Sequence, residues 1–529
     1  MPALRPLALA VLVLIAPAQA SLAQSAVGVP RSTNGSLPSM GDSSELPAAA
    51  ERRMGDRIAA SIYRDPDYVD DPVLGDYLQS IWQPLMTAAR ARGELQDELD
   101  ERFAWEVFLI RDRSINAFAL PGGYFGVHLG LIGAVSTSDE LAAVLAHELS
   151  HVTQRHISRL LTQRSRQAPW MIAAMIVGAL AASKSPDAAT AAIVGGQAVA
   201  AQGQLNFSRD MEREADRVGF GVMQGAGFDS QGVSAMFEKL QQASRLNDSG
   251  AFPYLRSHPL NTERIAEVQS RLQLAALSRA APSPEGQADA DKAQLLHAMM
   301  AARARVLAIP GVDALRAMVA QAQRRTAAPA APAAPAARIR DAGALYGGAF
   351  ASAQLRDFAG ARSLWRELQP LTAGVERARQ AVDLLGIEID LLAGVVPPSA
   401  ATADLAQARS RAEVLTMAQA MTVARRTREV AERLQTWVTA HPGDARAWQM
   451  LAVAYGQQNQ SVRAIRADAE SRVAQRDYPG ALDRFKAAQA LMRSQPGSAD
   501  YVEGSIIDAR ARQVESLVKA QALQDKVDR

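Results

Sequence analysis

Alternating apolar and polar residues in the first third of the chain predict a small sheet. Residues 103–110 and 124–130 are rich in β-branched and aromatic side chains, which favour strands. Pro121, Gly122 and Gly123 lie between these two segments, and proline followed by glycine is typical of a tight turn. Both segments are therefore expected to contribute strands to one sheet.

The spacing of apolar residues then changes to three and four, which predicts helices. Thr137 and Glu140 match a capping box, in which the first side chain accepts from the backbone and the second reaches back. A long helix is expected from there to about residue 164. A second helix is expected over roughly residues 209–224, because Gly225 ends its pattern.

The part of the chain after residue 338 is predicted to consist of helix pairs. Residues 326–338 repeat alanine and proline, which is typical of a stiff linker or a long loop. Residues 356–361 and 476–481 share Arg-Asp, an aromatic residue and Gly-Ala, as at the turn of a helical hairpin. We expect about four degenerate helical repeats between residues 293 and 529, and a plain helical bundle is the alternative.

The first 20 residues have the pattern of a secretory signal peptide. Arg5 precedes an apolar run over residues 7–16, and cleavage is expected after Ala20, with Ala23 as the alternative. The run is too short to span a bilayer. Residues 21–45 are rich in serine, glycine and proline and are expected to form a flexible lead-in. The signal predicts export to the periplasm.

Composition and charge narrow the classes of function. The 529 residues are expected to form two or three domains. The formal net charge of +2 provides no overall field that would attract nucleic acid, so a nucleic-acid partner is not expected. The chain contains no cysteine, which excludes disulfides and any chemistry that needs a thiolate.

Two histidines and a glutamate in the predicted helix are candidates for a metal site. His147 and His151 are four residues apart, so both imidazoles lie on one face of a helix. This spacing suits chelation of one Zn²⁺, and Glu148 is placed to take a proton from a zinc-activated water. The alternative is a chance occurrence on a helix, which the apolar surroundings disfavour because unpaired buried histidine and glutamate are costly.

The metzincin class of zinc peptidases does not account for the third ligand. That pattern requires glycine and histidine at two positions where this chain has Gln154 and Ile157. His156 is one residue from the required position. It is expected to lie at the surface or behind the ligands.

The second predicted helix offers carboxylates as the remaining ligands. Glu212 and Asp216 lie four residues apart on one face, which suits a metal ligand and a carboxylate that holds a ligating histidine by its second nitrogen. Glu214 lies between them, so an ordinary charged helix face is an equally good interpretation of the spacing alone.

The order of these motifs resembles the HtpX and CAAX-prenyl-protease family of zinc metallopeptidases. Residues 212–216 follow residues 147–151 by about sixty positions, and residues 116–123 and 257–259 also match the family. With an export signal and a helical C-terminal part, the chain is most similar to the periplasmic BepA-like group, which joins a peptidase to a tetratricopeptide repeat (TPR) domain. The resemblance covers residues 50–275 well and the C-terminal half only in architecture.

The resemblance implies roles for the matching residues. Glu212 would be the third ligand of one Zn²⁺ per chain. His258 resembles a histidine that can occupy the open zinc position and keep the enzyme latent, although a histidine before Pro259 is also typical of a loop. The segment 116–123 would line the cleft and pair with an extended substrate, or would simply be a strand and turn. The residues expected to bind substrate are Asn116, Ala117, Phe118, Ala119, Gly122 and Gly123.

Residues 168–201 contain two apolar runs, and neither is long enough to span a bilayer. We expect a helical hairpin that covers the cleft or contacts a membrane surface peripherally. A buried core hairpin is the alternative.

The expected fold is mainly α. An α+β zincin-type metallopeptidase domain with a small sheet would occupy residues 46–280, a linker and the first C-terminal helices residues 281–338, and a TPR-like solenoid residues 339–529. The family implies an endopeptidase that degrades misfolded or stalled outer-membrane proteins, with the solenoid contacting the outer-membrane assembly machinery. The alternative is a chaperone or scaffold whose peptidase is latent.

Overall fold

A computed structural model describes residues 46–164, 208–245, 254–278, 283–308, 311–326, 334–494 and 501–527. The predicted signal peptide, the lead-in, the apolar runs of residues 168–201 and most of the Ala/Pro-rich segment lie outside the described residues. Among the helices of the described ranges, none combines the length and the apolar character needed to cross a membrane.

The N-terminal part of the chain contains all the strands of the described residues. They are β1 (Tyr68–Val69), β2 (Glu106–Ile110), β3 (Ala117–Leu120) and β4 (Tyr124–His128). The helices around them are α1 (Ala48–Ile62), α2 (Pro72–Ala91), α3 (Asp97–Arg102), α4 (Leu129–Ala134), α5 (Ser138–Thr153), α6 (His156–Arg164), α7 (Arg209–Gly225), α8 (Gln231–Arg245), α9 (Tyr254–Ser257) and α10 (Thr262–Ser278).

The described residues of the C-terminal part form helices and the turns between them. The helices are α11 (Pro284–Leu307), α12 (Val312–Thr326), α13 (Pro335–Gln354), α14 (Phe358–Leu368), α15 (Glu376–Leu392), α16 (Ser399–Thr402), α17 (Arg411–Val423), α18 (Thr427–Ala440), α19 (Ala445–Gln457), α20 (Ser461–Ala474), α21 (Tyr478–Ser494) and α22 (Tyr501–Val527). Short 3₁₀ turns cover Gln369–Thr372 and Leu405–Gln407. The prediction of a mainly α chain with a small sheet is confirmed.

The sheet has four strands in the order β1-β2-β4-β3. β2 and β4 pair in parallel, whereas β1 and β3 pair antiparallel to their neighbours. Phe118 of β3 is paired with Gly126 of β4, and its ring covers the glycine, since a Cβ at Gly126 would lie 2.1 Å from the ring. β3 is thus an edge strand whose aromatic side chain packs across its partner.

The long helix predicted from Thr137 to residue 164 is interrupted. The Thr137 hydroxyl accepts a hydrogen bond from the backbone of Glu140 and caps α5, as expected. α5 ends at Thr153, however, and Arg155 adopts a left-handed conformation with φ of 57° before α6 begins. A left-handed residue ends a helix and redirects the chain, so the prediction of one continuous helix is wrong at this point.

A close approach of α7 to α5 brings the two predicted motif helices together. A Cβ at Gly219 of α7 would lie 3.1 Å from backbone atoms of Ala146 and His147 on α5. Only glycine allows this separation without movement of a helix. The contact lies beside the first histidine of the motif.

The buried apolar core continues from the N-terminal part into the C-terminal helices. One cluster runs from Ala48 to Ala412, and α11 packs on both α4 and α13. Arg303 of α11 is buried, and its guanidinium donates to Asp71, Tyr346 and Glu388. The buried core shows no break near residue 280. The domain division predicted there stays a prediction.

Successive helices at the C-terminal end pack against each other, α18 on α19, α19 on α20, α20 on α21 and α21 on α22. The two predicted hairpin turns have the same construction. Arg356 and Arg476 have φ of 64° and 61°, and Asp357 and Asp477 accept hydrogen bonds from the backbone three residues on. This likeness agrees with helical hairpins, and assignment to TPR repeats stays a prediction.

Candidate metal centre

Helix α5 places two imidazoles side by side in the protein interior. Nε2 of His147 lies 3.0 Å from Nε2 of His151, and both rings are buried. The four-residue spacing produces this arrangement because it is close to one helical turn. Two ring nitrogens that face each other at this distance need either a proton or a cation between them.

A carboxylate from α7 completes the group on the opposite side. Ser208 caps α7, which directs Glu212 of its first turn towards α5. The two Glu212 oxygens each lie 3.5 Å from a histidine Nε2, Oε2 from that of His147 and Oε1 from that of His151. Burial opposes ionisation of Glu212, but the neighbouring imidazoles of His258 and His147 leave its pKa well below the ordinary value.

His258 provides a fourth atom from the segment after α9. Its Nδ1 lies 3.3 Å from Nε2 of His147 and 3.0 Å from Oε1 of Glu212. The backbone of His258 donates to Tyr254, whose ring stacks on the imidazole at 4.6 Å between centroids. Together the stack and the turn orient Nδ1 towards the other three residues.

These four residues fit a tetrahedral zinc ion. Zinc bound at about 2.05 Å by four ligands holds the ligand atoms about 3.3 Å apart. The five separations given above lie between 3.0 and 3.5 Å. The cluster of His147, His151, Glu212 and His258 therefore has the donors and the spacing of a metal site, while the ligand role of each residue stays a prediction.

Glu148 lies beside this cluster without belonging to it. Its side chain is buried, and Oε1 is 3.4 Å from Nε2 of His258. Burial raises the pKa of the Glu148 carboxyl. Such a group is suited to accept a proton, and the role of general base stays a prediction for Glu148.

Asp216 contacts the far side of His147, and its predicted role of holding a ligating histidine stays a prediction. Its Oδ1 accepts from Nδ1 of His147 at 3.0 Å. Arg264 holds the same carboxylate in two hydrogen bonds, 2.6 Å from Nε and 2.8 Å from Nη2. It also lies 2.7 Å from Glu212 and donates to the carbonyl of Pro259. One buried guanidinium therefore links α7 to the His258 segment.

His156 is buried, so the possibility that it lies at the surface is wrong. Its Nδ1 lies 2.9 Å from Nδ1 of His151, behind the cluster, and its Nε2 lies 3.0 Å from Oε2 of Glu214. Arg159 also contacts Glu214, at 2.9 Å. Burial lowers the pKa of His156 to about 4, so the ring is neutral at neutral pH.

The structure places the predicted substrate segment at the edge strand β3, which packs against α5. Asn116 and Ala117 are buried at its beginning, whereas Phe118 and Ala119 are half-buried. A strand in this position has one pairing partner among the described strands, β4. The substrate-binding role of these four residues stays a prediction.

Packing accounts for the two glycines that follow. Gly122 and Gly123 are buried and have φ of 76° and 80°, which favours glycine. A Cβ at Gly122 would lie 2.8 Å from Cα of Arg52 in α1, and one at Gly123 would lie 2.8 Å from Phe103. The turn packs against α1 and Phe103, which favours a structural role for the two glycines over contact with a substrate.

Arg264 and Tyr254 were missed by the sequence reasoning. Arg264 carries one weak signal, since a cation in the first turn of a helix opposes the helix dipole and suggests a specific partner. Tyr254 carries no recognisable signal, because a tyrosine in a short helix is ordinary. Its position follows only from the fold.

Comparison with known proteins gives a family match and several relatives. Residues 75–272, which include the whole cluster, match peptidase family M48. The beta-barrel assembly-enhancing protease of Escherichia coli (strain K12) is 35% identical over 237 residues, 44% of this chain and 47% of the relative. That of Yersinia pestis is 29% identical over 443 residues, 82% of this chain and 83% of the relative. The mitochondrial metalloendopeptidase OMA1 of Schizosaccharomyces pombe is 32% identical over 175 residues, 33% of this chain and 49% of that protein.

The extent of these matches differs. The chain spans about half the length of the Escherichia coli relative, whereas the Yersinia pestis match covers most of both chains.

Proposed function

We propose that the chain is a zinc-dependent endopeptidase, since residues 75–272 match peptidase family M48. The observation that carries the proposal is the convergence of His147, His151 and Glu212 with zinc-like separations. Bound zinc would supply a Lewis acid that activates water and polarises the peptide carbonyl. One ion would be held per chain.

The residues of the chain would divide the remaining work. Glu148 would accept the proton of the attacking water and return it to the leaving amine, a role that its raised pKa suits. Asp216 accepts the Nδ1 proton of His147, which leaves Nε2 of that ring free to act as a ligand. The half-buried edge of β3, at Phe118 and Ala119, would pair with an extended substrate.

We further propose that the substrates are misfolded or stalled outer-membrane proteins in the bacterial periplasm. The names of the Escherichia coli and Yersinia pestis relatives, both beta-barrel assembly-enhancing proteases, support this substrate class. The signal-peptide pattern of residues 1–20 supports the location. The stacked C-terminal helices would form a TPR-like surface that contacts the assembly machinery.

The test compares the protein with its Glu148→Gln variant on an unfolded outer-membrane β-barrel protein. Glutamine keeps the size of the side chain but does not take up a proton, so we expect zinc content to remain and cleavage to be lost. Zinc content is measured by elemental analysis and cleavage by gel electrophoresis. Continued cleavage by the purified variant would refute the proposal. A soluble unfolded protein as second substrate tests the substrate class.

His258 supports a second candidate function, a chaperone or scaffold with a latent peptidase. Its Nδ1 is as close to Glu212 as a fourth ligand would be, and its Nε2 faces Glu148. A histidine in this position would exclude the attacking water and engage the base. In this function, binding of client proteins through the C-terminal helices would matter more than cleavage.

Two measurements distinguish the candidates. His258→Ala, assayed at saturating zinc, should raise cleavage if the histidine keeps the site latent, and unchanged or lower cleavage would reject latency. His441→Ala, in the turn before α19, is the matched control and should leave cleavage unaltered. If Glu148→Gln restores envelope integrity in a strain that lacks the protein, the scaffold function is favoured, and failure to restore it favours the peptidase.

A further inference from the structure

We propose that His156 is a positioning residue of the metal centre, which fixes the tautomer and orientation of His151 through a hydrogen-bonded chain that ends on Glu214. The inference rests on the proposed zinc site, since it assigns His156 a role towards one of its ligands. The chain of contacts is His151 Nδ1 to His156 Nδ1 at 2.9 Å, and His156 Nε2 to Glu214 Oε2 at 3.0 Å.

The direction of each hydrogen bond follows from the chemistry of the groups. An ionised carboxylate only accepts, so Nε2 of His156 must donate to Glu214. A neutral imidazole carries one N–H, which leaves Nδ1 of His156 as an acceptor. Nδ1 of His151 must then donate to it. His151 is left with an unprotonated Nε2, the atom that faces His147 and Glu212.

The opposite tautomers would disable the ligand. If His156 donated from Nδ1, His151 would accept there and carry its proton on Nε2, which would then have no lone pair for a metal. Glu214 prevents this state because it requires a proton on Nε2 of His156. Glu214 is partly exposed to solvent, and its carboxylate also accepts a hydrogen bond from Arg159 at 2.9 Å.

The backbone is shaped for this contact. His156 follows His151 by five residues, a spacing that would direct the two side chains apart on a continuous helix. The left-handed conformation of Arg155 ends α5 and turns the chain, so that the ring of His156 returns to His151 with 4.9 Å between centroids. The interruption of the predicted helix therefore has a chemical consequence.

The two histidine ligands are supported in parallel ways. His147 donates directly to Asp216 of α7, and His151 reaches Glu214 of the same helix through His156. Carboxylate support of this kind sets the tautomer of a metal-binding histidine and raises its basicity. The second path contains one imidazole more than the first.

The experiment measures the dissociation constant of zinc by competition with a fluorescent chelator. His156→Leu fills the buried space without a polar atom, and its zinc affinity should fall by about 10–100-fold, the usual effect of removing such support. His156→Asn keeps an acceptor at the position of Nδ1 and should restore much of the affinity. Glu214→Ala, at a partly exposed side chain, should also weaken binding because the tautomer of His156 is released.

Two controls separate this role from a general loss of structure. Arg159→Ala removes the ion pair to Glu214 but leaves the contact with His156, so affinity should stay near that of the unaltered protein. His297→Leu removes a buried imidazole that bonds to Tyr77 and Val135, away from the cluster. It should lower stability without changing zinc affinity. The absorption spectrum of bound Co²⁺ should change for His156→Leu and not for the controls.

The outcomes distinguish failure of the inference from failure of the proposed function. The positioning role is overturned if His151→Ala weakens zinc binding while Glu214→Ala, His156→Asn and His156→Leu all bind zinc as tightly as the unaltered protein. If the unaltered protein does not bind zinc, the zinc site itself is wrong and the inference falls with it. Should His156→Leu fail to fold, unchanged zinc affinity in Glu214→Ala is sufficient to overturn the role.

Discussion

Replacement of Arg264 by methionine should strongly destabilise the protein. The guanidinium is buried between two carboxylates, 2.6 and 2.8 Å from the oxygens of Asp216 and 2.7 Å from Glu212. Methionine keeps part of the volume but leaves both carboxylates without their cation. Breaking a buried ion pair by removing one partner costs about 3–5 kcal/mol, and we expect a loss of that size.

The measurement is guanidinium denaturation of the metal-free protein followed by circular dichroism. Arg213→Met, at an arginine of α7, is the matched control, because Arg213 lies 2.7 Å from Glu263 but is exposed to solvent. Burial is then the main difference between the two ion pairs, and the control should change stability little. A loss for Arg264→Met no larger than that for Arg213→Met would refute the reasoning.

Two further measurements locate the cause of the loss. Asp216→Asn, introduced together with Arg264→Met, removes one of the two buried carboxylates that have lost their cation. The double variant should recover part of the free energy of unfolding that Arg264→Met loses. Burial alone would raise the pKa of Asp216, but the charge of Arg264 leaves it below the ordinary value. This contribution is present above about pH 4 and is lost as the pH falls through the lowered pKa. The difference in stability between the unaltered protein and the Arg264→Met variant should therefore shrink in acid.

Three other substitutions test the packing around the site. Arg303→Met should cost about 3–5 kcal/mol in the same denaturation assay, because the buried guanidinium is bonded to two carboxylates, and a negligible loss would contradict this. Gly219→Leu should lower zinc affinity in chelator competition by forcing α7 away from α5, and unchanged affinity would show that the helices can adjust. Gly126→Ala should displace the ring of Phe118 and raise KM more than it lowers kcat, whereas an unaltered KM would argue against β3 as the substrate strand.

Two members of the metal cluster were within reach of the sequence, because His147 and His151 are related by one helical turn. Glu212 lies in the first turn of a helix that Ser208 caps, but its spacing to Asp216 fitted a charged helix face equally well, and the resemblance made it the expected ligand. His258 came only from resemblance, since no local pattern turns a histidine before proline towards a helix some hundred residues earlier. Long-range contacts of this kind depend on packing, which periodicity does not contain.

The break between α5 and α6 was not predictable for a different reason. Residues 153–156 contain neither glycine nor proline, and apolar residues resume at Ile157, Leu160 and Leu161, so the local sequence gives no signal for the end of a helix. Arg155 adopts φ of 57° although arginine has no preference for the left-handed region. Tertiary contacts impose that conformation, among them the approach of its guanidinium to Glu51 at 3.3 Å.

The charged run in α7 shows how a motif can conceal several roles. Glu212, Glu214 and Asp216 alternate along the helix, so the middle carboxylate points away from the other two. That alternation resembles a solvated face, yet each of the three contacts a histidine of the site. α5 carries the two histidine rings, and the three carboxylates that contact the histidines of the site all lie on α7. A rotation of α7 would therefore disturb the ligand and both supporting carboxylates together, which makes the close contact at Gly219 a condition for the chemistry as well as for the fold.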